Sequence, residues 1–92
     1  MTDEMTDDEI IRLCAQAIGM SNRYMIQSEY NPLKYRMQAM DLLITFRLAV
    51  SPPTTSDGVW GVAGVNGDAT GSTLERAICM CVAKMQRDKV RQ

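Results

Sequence analysis

Three thiols, at Cys14, Cys79 and Cys81, are the most reactive side chains of this 92-residue chain, and no histidine accompanies them. A thiolate nucleophile works best with a base beside it, and imidazole is both the commonest base and the commonest metal ligand. A zinc site needs three or four ligands at suitable spacing. Cys79 and Cys81 lie two apart on a predicted helix, so their side chains point about 200° apart and cannot share an ion. Cys14 is distant in sequence. The thiols therefore read as reduced, small hydrophobes in the core, and their odd number with no leader-like amino end predicts a cytosolic setting. Neither a metal nor a cofactor is expected.

The remaining reactive groups form no catalytic set. Asp7, Asp8 and Glu9 sit where a helix begins, and acids are favoured there by the helix dipole. Glu29, Asp41, Asp57 and Asp68 are scattered, and no pair resembles the facing carboxylates of a glycosidase. Gly58, Gly61, Gly64, Gly67 and Gly71 recur at near-regular steps. The stretch from Gly67 to Ser72 leads into a helix, where an anion could sit. It lacks the lysine of a phosphate loop and the spacing of a dinucleotide fingerprint, so a flexible hairpin and connector is the better reading. No catalytic residue is assigned.

Charge is balanced in total, at −1, but uneven along the chain. The amino end is acidic, from Asp3 to Glu9. The carboxyl end is basic, with Arg76, Lys84, Arg87, Lys89 and Arg91. Bases at a helix end complement the dipole; they also suit nucleic acid, though no aromatic side chain interleaves to stack on bases. Trp60 stands among valines and glycines, either as an anchor of the sheet or as an exposed contact. Trp60, Arg76, Lys84 and Arg87 are the candidate partner contacts.

Helices must position these groups. Thr6 to Glu9 forms a capping box, and Ile10, Leu13, Cys14, Ala17 and Ile18 share one helical face, predicting a helix over 7–19 stopped by Gly19. Tyr24, Met25 and Ile26 suggest a short strand. Asn31 and Pro32 read as the cap and first residue of a second helix, with Leu33, Met37, Met40 and Ile44 as its buried stripe. It should end near Phe46 or Leu48. Pro52 and Pro53 break the chain. A strand over 46–50 and another over 59–65 should pair antiparallel, closed at 66–68. Ser72 to Glu75 is a second capping box, opening a third helix with Leu74, Ala77, Ile78, Cys81, Val82 and Met85 inside.

The pattern from Thr6 to Met20 resembles the opening of a group of small tailed-phage and prophage proteins, the NinX-like proteins among them. In that group an amphipathic helix ending Ala-x-x-Gly leads to an aromatic-Asn-Pro-Leu step, matched here by Tyr30 to Leu33 and then Ala39 to Leu43. The closing helix begins Thr-x-x-Arg-Ala-Ile, matched by Thr73 to Ile78. The resemblance implies a phage or prophage origin and expression in the bacterial cytoplasm, and supplies no catalytic residue.

These readings predict a single small α+β domain over residues 1–92, with 1–5 and 88–92 frayed. Three helices should pack on a small antiparallel β-hairpin in the order α-α-β-β-α. With eight methionines and few aromatics, the interior should be soft and adaptable. The expected role is a non-enzymatic accessory protein that binds a host or phage protein as adaptor or inhibitor. The alternative is nucleic-acid binding through the basic carboxyl-terminal helix. A homodimer is a further expectation, with Met80 and Val82 as its contacts. No membrane association is expected, since no apolar run approaches the length of a span.

Overall fold

A computed structural model describes residues 5–53, 58–64 and 67–91, with the side chains of 90 and 91 left out. Residues 54–57, the strand end at Val65 and Asn66, and the acids Asp3 and Glu4 lie outside the described residues. The elements are helices α1 (Asp7–Ala17), α2 (Asn22–Gln27) and α3 (Arg36–Thr45), strands β1 (Ala49–Ser51), β2 (Trp60–Gly64) and β3 (Gly67–Gly71), and helix α4 (Leu74–Arg91). The class is α+β, as the sequence predicts, with one more helix and one more strand than expected.

Helix starts follow hydroxyl caps. Thr6 Oγ1 accepts from the Glu9 amide at 3.2 Å and opens α1, and Gly19, at a φ of 78°, closes it. The amide of Met20 then reaches the carbonyl of Ala15 at 2.9 Å, which satisfies an end group the helix leaves over. Thr73, one residue later than expected, caps α4 by accepting from the Arg76 amide at 3.2 Å. The strand expected at Tyr24 to Ile26 is instead α2. Ser21 caps its start at 3.2 Å, and Ser28 Oγ donates back to the Tyr24 carbonyl at 2.7 Å. Local capping outweighs the β preference of two apolar residues there. Glu29, at a φ of 54°, supplies the left-handed turn that ends α2 without a glycine.

Asn31 caps a turn rather than α3 itself. Its Oδ1 accepts from the Lys34 amide at 3.2 Å, and Pro32 to Lys34 make a single turn. Tyr35 is extended, and α3 begins only at Arg36. Arg47, at a φ of 52°, turns the chain out of α3 toward β1.

The strands run antiparallel in the order β1-β2-β3. Val50 pairs with Val62 and Val62 with Ala69, so these three share the face turned to the core. Ala49, Ala63 and Asp68 lie on the opposite, exposed face. The glycine-rich segment before α4, expected as a connector, is therefore a paired strand.

Helix α4 is the centre of the molecule. Ala77, Ile78, Cys79, Cys81, Val82 and Ala83 are all buried and cover about two thirds of the helix circumference, while Arg76, Lys84 and Arg87 share the remaining side. The sheet packs on one side, and α1 and α3 pack on others. Asp7 meets Arg76 and Cys14 meets Cys79, so α1 and α4 run in the same direction. Two helix starts thus lie at one end of the molecule, and Asp7, Asp8, Glu9 and Glu75 offset their combined positive dipoles. Met5 is buried, and α4 continues to Arg91. Val82 is enclosed by this packing and Met80 lies against the core, which leaves Val82 no surface for the dimer contact expected there.

Glycine is required where β3 meets α4. A Cβ at Gly71 would stand 2.7 Å from the backbone nitrogen of Ala77, whereas one at Gly64 would meet only the side chains of Met85 and Leu48, at 2.9 and 3.0 Å. Backbone cannot yield as a thioether can. Gly71→Ala should therefore lower stability by roughly 1–3 kcal/mol, and Gly64→Ala by distinctly less. Denaturant melts of both variants check the order.

Candidate functional site

Of the four residues singled out from sequence, Arg76, Lys84 and Arg87 share one side of α4, and Trp60 lies on β2. Trp60 opens β2 opposite Gly71 and packs half-buried against the core, so its place is that of an anchor. Arg76 is held by Asp7 at 3.1 Å. Arg87 lies with its side chain only 18 % exposed, its Nε 3.7 Å from the Asp88 carboxylate. Lys84 is half-buried on the same helix. Packing and ion pairing thus account for much of the basic helix.

The thiols are equally enclosed. Cys14 Sγ donates to the carbonyl of Cys79 at 3.4 Å, and Cys81 Sγ lies 3.7 Å from the carbonyl of Gly67. Hydrogen bonding with Cys79 and then burial hold the Cys14 thiol far above its ordinary range, and burial first, then the charge of Asp68, raises Cys81. A thiol in that state is a poor nucleophile. The fold brings Cys14 beside Cys79, a proximity their sequence separation hides. Among the described residues, no group of three or more Cys, Asp or Glu side chains gathers as a metal site. None of their helices is long and apolar enough to cross a membrane. The stretch offered for an anion is taken up by strand pairing and by the contact of Gly71 with α4.

A different surface stands out. Helix α3 buries Ala39 and Leu42, with Leu43 and Phe46 packed beside them. The stripe expected to be buried is turned the other way. Met37 is 82 % exposed and Ile44 70 % exposed, and only Leu33 and Met40 of that set pack partly inside. The helix carries apolar residues on two opposite faces, and the fold uses the face with the smaller Ala39 to approach α4. Met37, Asp41 and Ile44 are spaced as i, i+4 and i+7, which aligns them on the outer face.

This outer face borders a groove of about 770 Å³. The end of α1 supplies Ala17, Ile18 and Met20; α2 supplies Tyr24 and Ser28 follows it; α3 supplies Gln38, Asp41, Leu42, Ile44 and Thr45. Ile18, Tyr24 and Ile44 are exposed although large and apolar. Gln38 is fixed by accepting from the Asn31 amide at 2.7 Å, which ties the turn before α3 to the groove wall. Tyr30, 9 % exposed, also lines the groove, and its hydroxyl is buried with no hydrogen-bond partner among the described residues. Burial raises its pKa, and the neighbouring Cys14, Cys79 and Asp41 add to the rise. The apolar excess of residues 37–46 was the sequence signal for this surface; which half would be exposed was not.

At the far end of α3, Arg36 Nε donates to Glu75 Oε1 at 2.7 Å. That bond is the main reason the Glu75 carboxyl sits below its ordinary value of 4.5. A group depressed on folding stabilises the protein above its unfolded value and loses that contribution as pH falls through the folded one. Arg36 is 77 % exposed, so solvent screens the pair. Glu75→Gln should cost under about 1 kcal/mol at neutral pH, and the difference from wild type should vanish on acidification below the glutamate range. Paired urea titrations across pH test this.

The buried Tyr30 hydroxyl gives a prediction of opposite sign. An unsatisfied buried hydroxyl costs roughly 1–3 kcal/mol, so Tyr30→Phe should leave stability unchanged or raise the melting temperature. A clear loss of stability would show that the hydroxyl is bonded in solution. No family model matches the chain, and no curated protein and no solved structure matches it.

Proposed function

We propose that this chain is a small, non-enzymatic phage or prophage accessory protein that binds a host or phage protein, as adaptor or inhibitor, in the bacterial cytoplasm. The observation that carries the protein-binding part is the outward stripe of α3, where Met37 and Ile44 remain exposed beside a groove lined by Ile18 and Tyr24. Apolar side chains clustered around a concavity and rimmed by polar groups are characteristic of docking surfaces. The phage origin rests on the sequence resemblance of the Tyr30 to Leu33 step and of the two flanking helices. Three enclosed thiols and the absence of histidine support a binding role over a catalytic one.

The reading is tested by affinity capture of the tagged chain from bacterial lysate, with nuclease treatment and an Ile44→Ser control in parallel. Ile44 is exposed, so the substitution should leave folding intact. The expected result is a stoichiometric, nuclease-resistant protein whose recovery falls at least tenfold with Ile44→Ser. Recovery that is lost with nuclease and indifferent to Ile44→Ser would overturn it in favour of nucleic acid on α4.

A further inference from the structure

Resting on the docking reading above, we infer that the groove takes an amphipathic helix of the partner, which sets a lysine or arginine, flanked by apolar side chains, against Asp41. Asp41 lies on the outer stripe of α3 between Met37 and Ile44, and it also lines the groove. The lining holds no lysine or arginine. Among the described residues Asp41 makes no ion pair.

Asp41 lines the same groove as Ile44 and Tyr24, so an occupant that covers them strips water from its carboxylate. An ionised carboxylate left unpaired in a dry interface opposes association more strongly than one aliphatic side chain favours it. The occupant must therefore bring the missing base. The same charge repels phosphate-bearing surfaces, whether nucleic acid or lipid.

A second copy meets the same obstacle. Asp41 stands near the midpoint of the Met37 to Ile44 stripe, so a two-fold axis across that stripe would set the two Asp41 carboxylates opposite each other. Like charges so placed disfavour the pairing. A heterologous partner with a base at that position satisfies both the apolar rim and the acid.

The walls of the groove select a helix over an extended segment. The ends of α1, α2 and α3 form them, and these helices keep most of their backbone groups for themselves. A strand laid there would find no ladder to pair with, whereas a helix satisfies its own backbone. Asp41 and Ile44, which both line the groove, are about one turn apart on α3, roughly 5 Å. An apolar anchor one turn from the base on the incoming helix matches that step.

A displayed library of helix-biased peptides, panned on the immobilised full-length chain, tests the inference. Selected peptides are then labelled and titrated by fluorescence anisotropy against wild type, Ile44→Ser, Asp41→Asn and Asp41→Lys. The expected peptides carry Lys or Arg one turn from apolar residues. They lose at least tenfold in affinity with Ile44→Ser and with Asp41→Asn, and a Lys-to-Glu version of the peptide regains binding to Asp41→Lys. Peptides that need Ile44 but lack a base, or ignore both Asp41 variants, would overturn the inference and leave the docking reading standing. No enrichment, or binding indifferent to Ile44→Ser, would overturn both. A concentration-dependent doubling of mass that Ile44→Ser abolishes would assign the groove to a second copy and overturn the inference.

Discussion

Everything in this fold depends on enclosing the broad apolar face of α4. A helix apolar over most of its circumference has no stable exposed state, and a chain of 92 residues has few elements with which to cover it. The sheet takes one side, α1 takes another, and α3 a further one. Small residues make this close approach feasible: Ala77, Cys79, Cys81 and Ala83 on α4, Gly71 on β3, Cys14 and Ala15 on α1. The thiols are therefore explained by packing volume, since Cys fills a space between Ala and Val without a polar group that must be matched.

That enclosure has a consequence for α3. Its contribution to covering α4 is made with Ala39 and Leu42, the residues that let its backbone come near, and the bulkier Met37 and Ile44 face outward. A helix that has to serve the interior and carries a second apolar stripe is in an unusual position for a monomer. Met37 and Ile44 of that stripe stay exposed. The stabilising burial available to α3 is thus incomplete within the chain, and the groove beside it is where the remainder lies.

Much of the architecture was legible because capping is local. Thr6 with Glu9, Gly19, and Thr73 with Arg76 each act through neighbours a few residues away, and the helices they delimit follow the sequence closely. The antiparallel pairing of β1 with β2 was legible from the β-branched content after Pro52 and Pro53, although β1 spans Ala49–Ser51 rather than 46–50. Three features were not. Helix α2 is set by serine caps around residues that favour strands, so two local preferences compete and the cap prevails. Strand β3 is rich in glycine and gains its conformation from pairing with β2 and from α4, which sequence periodicity does not encode. The orientation of α3 turns on volume at the α4 contact, since both of its faces are apolar. The basic residues mislead for a related reason: Arg76 and Arg87 look free in sequence but are paired with Asp7 and drawn against Asp88 in the fold.

The central claim is that α3 buries Ala39 and Leu42 and presents Met37 and Ile44 to solvent. Methyl NMR of the Ile- and Met-labelled chain with a soluble paramagnetic agent reads this directly. The account predicts strong broadening of the Met37 and Ile44 methyl signals while those of Ile10 and Ile78, deep in the core, stay sharp. Met37 and Ile44 signals as protected as those of Ile10 and Ile78 would contradict it, because α3 would then be turned half a revolution and the groove would lose its apolar rim.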